Sequence, residues 1–317
     1  IGVSIGLVSI SEKTSSLTEL LKNADTACYM AKDKGRNRIH VFHPDDSEIA
    51  QRFGEMQWVT RIHQAVEENR LCLYAQTIVA LDDSNDKHYE LLIRMVDEKG
   101  ELILPGTFLP AAERYNLMSI IDHWVIKKAF GLLAKNPEFL RQTNYISINL
   151  SGQTLNNPEM LAFIITQLIE SEIDGNKICF EITETAAISN LSMAKQFIST
   201  LKDFKCQFSL DDFGSGLSSF GYLKKLPVDY LKIDGMFVKD IADNTIEHAM
   251  VKSINEIGHV MGMKTIAEYV ENDLIKGMLK EIGVNYVQGY GIGKPEPLEE
   301  LLSRSNNVTR YKKSKTG

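Results

Sequence analysis

The segment Ile178–Asp212, ICFEITETAAISNLSMAKQFISTLKDFKCQFSLDD, is the most informative about the fold. Its apolar run Ile178–Thr183 is typical of a buried strand, and apolar residues recur at helical spacing over Leu191–Phe204. A second strand-like run, Gln207–Leu210, follows the helix. Strands that alternate with helices in this way indicate a largely parallel sheet.

The same alternation extends on both sides of this stretch. Further strands are predicted at Leu71–Leu81, Tyr89–Met95, Tyr145–Leu150, Tyr230–Ile233, Thr265–Val270 and Tyr286–Gln288. Further helices are predicted at Ile120–Ala134, Pro158–Ser171 and Ile246–Met261. Roughly eight strands in about 245 residues favour a closed α/β barrel over an open sheet. The polar segment Asp82–Asp86 indicates a hairpin between the first two strands, so one strand is expected to run antiparallel to the rest.

The composition is that of an ordinary globular protein, and it excludes some classes of partner. The chain has 317 residues, a formal net charge of -7, 44% hydrophobic residues and 24% charged residues. A net negative charge argues against duplex nucleic acid as a partner, because that partner requires a basic face. No apolar run reaches about 18 residues, so we predict no membrane-spanning segment in this sequence.

The cysteines and histidines favour neither disulfides nor a zinc site. The four cysteines contain no C-x-x-C pair and lie at Cys28, Cys72, Cys179 and Cys206. We interpret them as buried, reduced thiols of a cytoplasmic protein. His40 and His43 are close in sequence, but no cysteine or further histidine lies near them to complete a zinc site.

The first 43 residues are too few for a stable domain of their own. Ile1–Ile10 is rich in β-formers, Leu17–Lys34 has a helical pattern that ends at Gly35, and Arg38–Phe42 predicts a short strand. The chain opens in mid-strand without a methionine. We therefore expect a fragment of a longer protein, whose upstream part is free to carry membrane or sensor segments.

Four regions are predicted along the chain. Residues 1–43 are the closing part of one α/β domain, and residues 44–59 form a linker helix. Residues 60–303 form the barrel domain. Residues 304–317 are polar and end in several lysines, and we expect a solvated terminus here rather than a binding patch.

Polar groups lie within or end most of the predicted strands. In an α/β barrel, functional residues lie at the C-terminal ends of the strands. Here the candidate positions hold Glu90, Asn149, Glu181, Glu184, Asp211, Asp212, Lys232, Asp234, Glu268, Glu271 and Gln288. So many carboxylates in one confined site require cations to balance them. Oxygen ligands without histidine or cysteine favour Mg²⁺ or Mn²⁺ over zinc.

Two neighbouring carboxylates refine this prediction. Asp211 and Asp212 are suited to bridge two ions about 3.5–4 Å apart, an arrangement that cleaves phosphodiesters. Lys232 would orient the attacking water or offset developing charge. The competing interpretation is structural, since a single acid at a strand end is more often a helix N-cap or part of a surface ion pair. The repetition over several strands favours the metal site.

Taken in chain order, these segments resemble the EAL-type cyclic di-GMP phosphodiesterases over about Arg61–Leu302. The matching segments are Glu90-Leu-Leu92, Ser147-Ile-Asn-Leu-Ser151, Glu181-Ile-Thr-Glu184, Asp211-Asp-Phe-Gly-Ser-Gly216, Leu231-Lys-Ile-Asp234, Ala267-Glu-Tyr-Val-Glu271, Gln288-Gly-Tyr290 and Gly293-Lys-Pro295. The resemblance implies a modified TIM barrel that opens cyclic di-GMP to linear pGpG with two Mg²⁺ or Mn²⁺ ions. Ala24–Arg38 resembles the closing helix and strand of GGDEF-type domains. The motif that names those domains is absent, so we assign no cyclase activity to this chain.

The resemblance also implies a metal-binding role for six residues. The ligands of one ion are matched by Glu90, Asn149, Glu181 and Asp211. Asp211 and Asp212 match ligands of the second ion. Glu268 matches a glutamate tied to the second ion and to the attacking water.

Other residues are implied to act around the metal ligands. Lys232 matches the lysine that positions water, and Gln288 matches a glutamine behind the ligands. Glu184 anchors the loop that starts with the Asp pair, and Glu271 supports the site. The expected contacts to the cyclic dinucleotide are Gln76, Arg94 and Asp234, with the arginine on a phosphate.

Several neighbours of these residues depart from the family pattern without removing a ligand or the lysine. The departures are Thr77 for proline, Leu91 for alanine, Met95 for an aromatic residue, Tyr269 for glycine, and Gly291-Ile292 for a bulkier pair. Leu91 and Met95 are expected to reshape the base pocket. Tyr269 is expected to crowd the mouth of the site.

Three functions compete at this point. The leading hypothesis is an active cyclic di-GMP phosphodiesterase. The second is a non-catalytic cyclic di-GMP receptor of the same fold, which would bind the ligand without turnover. The third is a two-metal barrel lyase or aldolase, which rests on fold analogy alone and is disfavoured by the adjacent Asp pair. A homodimer is also expected, because loop Phe213–Leu223 lies near a dimer interface in the family.

Overall fold

The computed structural model describes residues 3–10, 16–33, 36–43, 47–82, 84, 86–214 and 221–305. These residues divide into two compact units. The first comprises Ile1–Glu67 and Gly106–Tyr115, and the second comprises Glu68–Pro105 and Asn116–Gly317. The predicted helix end at Lys34 and Gly35, most of the loop after the Asp pair, and the end of the polar tail lie outside the described residues.

The first unit contains a short parallel sheet. Its elements are β1 (Ile5–Leu7), α1 (Leu17–Asp33), β2 (Ile39–Val41), α2 (Ser47–Glu67) and most of α3 (Pro105–Arg114). β1 pairs with β2 in parallel, as expected for two strands joined through a helix. Helix α1 buries Ala27, Met30 and Ala31, whereas Leu17 and Leu21 on the predicted apolar stripe remain exposed.

The second unit is a closed barrel. Among the described residues its eight strands are β3 (Leu71–Ala80), β4 (Lys87–Val96), β6 (Ile146–Leu150), β7 (Ile178–Thr183), β8 (Gln207–Phe213), β9 (Tyr230–Ile233), β10 (Lys264–Ala267) and β11 (Tyr286–Gln288). They pair in this order and β3 closes the ring on β11. β3 is antiparallel to both neighbours, and the others are parallel. The predicted hairpin and the single antiparallel strand are confirmed. Two short strands, β5 (Leu102–Ile103) and β12 (Glu296–Pro297), extend β4 and β3.

Helices fill the intervals between the parallel strands. They are α4 (Met118–Ala134), α5 (Pro137–Gln142), α6 (Gly152–Leu155), α7 (Pro158–Ser171), α8 (Glu184–Ser189), α9 (Leu191–Asp203), α10 (Gly235–Val238), α11 (Thr245–Val260) and α12 (Asp273–Ile282), with residues 298–305 also helical. Many begin at a side-chain cap: Asn157, Thr183, Asn190, Asn244 and Asn272 each accept a hydrogen bond from a backbone N–H of the first turn. In the described part of the chain, no helix combines the length and the apolarity that crossing a membrane would need.

Two strands end three residues away from the predicted position, each for a local reason. β8 runs to Phe213 rather than Leu210, and a bulge lies between these two residues where β8 pairs with β9. β10 ends at Ala267 rather than Val270, because Tyr269 takes a left-handed backbone with φ of 55° that a strand cannot continue. Both irregularities lie at the C-terminal ends of strands, where the predicted site is.

The floor of the barrel interior is an apolar and aromatic layer. Its buried members are Ile78, Tyr145, Cys179, Tyr230, Ile266 and Tyr286. His88 packs edge-on against Tyr145, with ring centroids 4.0 Å apart. Burial lowers the pKa of His88 to about 4, so this histidine is neutral at physiological pH. The floor is therefore a packed core that supports the layer above it.

Candidate active site

The layer above this floor contains polar residues that the sequence predicted as site residues. Glu181 lies two positions beyond Cys179, and Lys232 lies two positions beyond Tyr230. Side chains in a strand alternate with a period of two, so the pattern that turns the floor residues inward turns the next pair inward as well. The parallel register places these positions at one end of the barrel, as in the pairing of Asn149 with Glu181.

Lys232 is fully buried at the centre of this layer. Its Nζ lies 2.7 Å from Glu181, 2.8 Å from Glu268, 3.2 Å from Asp211 and 3.4 Å from Glu90, in each case measured to a carboxylate oxygen. Burial lowers the pKa of Lys232, but the carboxylates, Asp211 foremost, outweigh it and raise the pKa well above the usual value. The ammonium therefore stays charged and draws four carboxylates together.

Glu90 is held by donors from three other strands. Its Oε1 accepts a hydrogen bond from Asn149 Nδ2 at 2.7 Å, and its Oε2 accepts one from Gln288 Nε2 at 2.6 Å. Gln288 Nε2 also lies 3.1 Å from Gln76 Oε1, which extends the network to β3. Burial opposes ionisation of Glu90, but Lys232 and these amides outweigh it and lower its pKa. Glu90 is thus an ionised, oriented carboxylate.

The carboxylates of the site, if all were ionised, would carry more negative charge than the single Lys232 ammonium can balance. Burial raises the pKa of Glu181 to about 8 and raises the pKa of Asp211 and Glu268 as well. Asp212 is exposed at the edge of the cleft, yet partial desolvation and then Asp211 raise its pKa to about 6. One lysine cannot neutralise five carboxylates. Protons or additional cations must therefore supply the balance.

The geometry fits divalent cations with oxygen ligands. Asp211, Asp212 and Glu268 each offer an oxygen within 4.8 Å of the others. Both aspartates face the same mouth because the bulge in β8 interrupts the alternation of side chains, and Asp212 has a left-handed backbone with φ of 54°. Glu181 Oε1 is buried without a hydrogen-bond partner in the described structure, as expected of an atom that is free to ligate. The residues present therefore fit the predicted cations.

A cleft of about 400 Å³ opens above these acids. Gln76, Arg94 and Glu271, which were predicted to contact a ligand or support the site, line this cleft. The Arg94 guanidinium lies over the Tyr74 ring, with Cζ 5.4 Å from the ring centroid. Asp234 is not among the residues that line the cleft. It caps α10 by accepting a hydrogen bond from Met236 N at 2.8 Å, which is the structural role weighed for strand-end acids.

Glu184 lies at the start of α8, and none of the described contacts joins it to Lys232. It accepts hydrogen bonds from Gly214 N, at 3.2 Å, and from the Tyr222 hydroxyl. Glu184 thus binds residues on both the N-terminal and the C-terminal side of positions 215–220. Sequence reasoning missed Tyr222, because it lies in a loop and no periodicity or strand end distinguishes it.

Comparison with known proteins adds independent findings. A family model described as "EAL domain" matches residues 59–295. The chain is 46% identical over 299 residues to "Cyclic di-GMP phosphodiesterase PdeB" of Shewanella oneidensis, which covers 94% of this chain and 35% of that protein. It is 36% identical over 245 residues to "Cyclic di-GMP phosphodiesterase PdeF" of Escherichia coli, covering 77% of this chain and 32% of that protein. The chain thus spans about a third of the length of these curated relatives.

A solved structure agrees with this likeness. The structure described as "PaMucR Phosphodiesterase, c-di-GMP complex" matches with a TM-score of 0.72 at 30% identity, covering 77% of this chain and 99% of that one. The residues matched by the family model, 59–295, include the barrel strands and the acids around Lys232.

Proposed function

The chain belongs to the EAL domain family, and on that premise we propose that it hydrolyses cyclic di-GMP to linear pGpG. The observation that carries the proposal is the buried Lys232 with four carboxylates within 3.4 Å, below a cleft lined by Arg94. A phosphodiester is an anion, and an excess of carboxylates would repel it. The proposal therefore requires cations in the site.

The proposed cations are two Mg²⁺ or Mn²⁺ ions. Glu90, Asn149, Glu181 and Asp211 would hold one of them, and Asp211, Asp212 and Glu268 would hold the other. Bound there, the ions would polarise the phosphodiester and lower the pKa of water. The support for this assignment is the oxygen-only donor set and the raised pKa values of its acids.

The side chains have distinct roles in the proposed reaction. The Lys232 ammonium orients the attacking water and offsets negative charge that develops on the phosphate. Glu268, whose Oε1 lies 2.8 Å from Lys232 Nζ, would accept a proton from that water. Arg94 and Gln76 bind the ligand, the arginine through a phosphate.

The bond changes follow from the product. Water adds to one phosphorus, and the bond from that phosphorus to the ribose 3′ oxygen breaks. The 3′ oxygen takes up a proton, and the phosphate remains on the 5′ oxygen, which gives pGpG. Asp234 remains a proposed ligand contact in addition to its role as a helix cap, and Gln288 supports Glu90 from behind.

Further proposals concern the context of the domain. Residues 1–43 are proposed as the closing part of a GGDEF-type domain, residues 44–59 as a linker helix, 60–303 as the catalytic domain and 304–317 as a polar tail. A homodimer and a cytoplasmic location are also proposed. The four cysteines, which are all free thiols, support a reducing compartment.

The test of the function is direct. Incubation of the chain with cyclic di-GMP and Mg²⁺ or Mn²⁺ should yield pGpG, and chromatography measures its formation. Glu90→Ala should abolish the product, and Glu256→Ala, on the exposed surface of α11, should not. Absence of turnover with either ion refutes the phosphodiesterase proposal. Tight binding without turnover would instead favour the receptor hypothesis.

A further inference from the structure

Tyr269 has a conformation that its own chemistry disfavours. Its backbone is left-handed, with φ of 55°, and its side chain is 64% exposed. A bulky residue in this region costs about 1–2 kcal/mol relative to its ordinary conformation. Glycine would adopt the same backbone without that cost. An exposed aromatic ring held in this way needs a compensating role.

The ring of Tyr269 is held against Gly235. A Cβ atom at position 235 would lie 2.1 Å from Tyr269 Cδ2, 2.5 Å from Cγ and 2.8 Å from Cβ. Gly235 is not among the glycines with positive φ, so its backbone does not require glycine. The bare backbone at position 235 instead provides the space that the ring occupies.

Tyr269 borders the cleft over the acids. Tyr269 lines the cleft together with Asp212, Glu268 and Arg94. The residue as a whole is 64% exposed, so much of it is open to solvent at the cleft. Exposed aromatic rings beside a nucleotide-binding cleft are suited to stack on nucleobases, an interaction worth about 1–3 kcal/mol per base.

We propose that Tyr269, seated on Gly235, is the stacking platform for one guanine base of the cyclic dinucleotide. The proposal rests on the proposed function and identifies a residue that contributes binding affinity for the ligand through one of its bases. The base would lie on the exposed face of the ring while its phosphate reaches Arg94 and the acids. The strained backbone is then explained as the means of holding the ring at the edge of the cleft.

The first experiment separates stacking from bulk. Tyr269→Leu keeps an apolar side chain on the same strained backbone but lacks a π face. It should raise KM for cyclic di-GMP by about 5- to 150-fold, the change that corresponds to about 1–3 kcal/mol, with kcat changed much less. Tyr269→Phe should retain the native KM. The inhibition constant of a cyclic dinucleotide backbone that lacks both bases should be equal in all three proteins.

The second experiment tests the contact between the Tyr269 ring and Gly235. Gly235→Ala should raise KM by a similar factor, because the new methyl group displaces the ring. In a Tyr269→Gly background the same alanine should have little further effect, so the two positions should be strongly non-additive. Lys205→Gly is the control for backbone strain. Lys205 is exposed with φ of 67° between α9 and the start of β8, and this change should leave KM unaltered.

The outcomes distinguish this proposal from the proposed function. Native KM in both Tyr269→Leu and Gly235→Ala, with turnover intact, overturns the platform and leaves the phosphodiesterase in place. If the unsubstituted chain binds cyclic di-GMP without turnover, the proposed phosphodiesterase activity is refuted. The stacking proposal is then tested by calorimetry: the dissociation constants of Tyr269→Leu and Gly235→Ala should exceed that of the unsubstituted chain, and equal constants overturn it. If the chain neither binds nor hydrolyses cyclic di-GMP, both proposals are overturned.

Discussion

Glu181→Gln should stabilise the metal-free chain at alkaline pH, although it removes a proposed metal ligand. Glu181 is 1% exposed, and burial raises its pKa from 4.5 to about 8. Between these two pH values the folded chain retains a proton on Glu181 that the unfolded chain has lost. The contribution of Glu181 to the unfolding free energy therefore falls as the pH rises from about 4.5 to about 8, and it does not change above this window.

The size of the effect follows from the two pKa values. At 1.36 kcal/mol per pH unit, the difference between 4.5 and about 8 corresponds to about 5 kcal/mol above pH 8. Glutamine has no such ionisation, and Lys232 retains Glu268 at 2.8 Å and Asp211 at 3.2 Å as partners. The variant should be more stable than the unsubstituted chain by about 3 kcal/mol at pH 7 and about 5 kcal/mol at pH 9. Below pH 4.5 the difference should vanish.

The assay is urea unfolding in a chelator at several pH values, followed by circular dichroism. Glu256→Gln, an exposed acid on α11, is the matched control and should show no pH-dependent difference. Addition of Mg²⁺ should narrow the difference, because the unsubstituted chain gains binding energy that the variant has lost. A variant that is less stable at pH 9 in chelator, or a difference that does not change with pH, would refute the reasoning.

Three further substitutions test how the site is supported. Asp122→Ala should lower the unfolding free energy in urea by about 3 kcal/mol, because the buried carboxylate accepts three hydrogen bonds from Ser151 and Thr154 at the start of α6. Gly289→Ala should destabilise the barrel by about 4 kcal/mol or more, since the new Cβ would lie 2.2 Å from Val270 N; a native melting temperature would contradict this. Tyr222→Phe removes a hydrogen bond to the buried Glu184 carboxylate, so it should lower the unfolding free energy by about 1–3 kcal/mol and reduce kcat about tenfold, as measured by urea unfolding and product formation.

The architecture of the barrel could be predicted because its signals are local and repeated. The strand Ile178–Thr183 and the helix Pro158–Ser171 have the bounds that the sequence predicted. Periods of two and 3.6 residues, with side-chain caps between them, are readable without tertiary information. Closure of the ring is not local. It was inferred from the number of strands, and the antiparallel strand from the hairpin.

The irregular strand ends could not be predicted, and they shape the site. The run Gln207–Leu210 gives no sign that an extra residue follows in the pairing with β9. Without that bulge, alternation would place Asp211 and Asp212 on opposite faces of the sheet. The sequence shows that both acids are present. Only the three-dimensional pairing explains how adjacent residues reach one cleft.

The contacts of single residues were the least predictable feature. Tyr222 gives no sequence signal, and its role depends on a contact with Glu184, 38 positions earlier in the chain. Asp234 has the sequence position of a ligand, but the contact that the structure describes for it is a helix cap. Such roles depend on which atoms meet after folding. Residue type and spacing alone do not determine them.

The charge imbalance of the site links cation binding to proton release. Glu181 and Asp212, with pKa values raised to about 8 and about 6, hold protons over part of the physiological range. A cation that binds these oxygens must displace the protons, so cation affinity should rise with pH through this range. Lys232 cannot substitute for the cations, because one ammonium leaves most of the carboxylate charge unbalanced. The buried lysine instead gathers the acids, and the cations that this cluster attracts make the cleft receptive to an anionic phosphodiester.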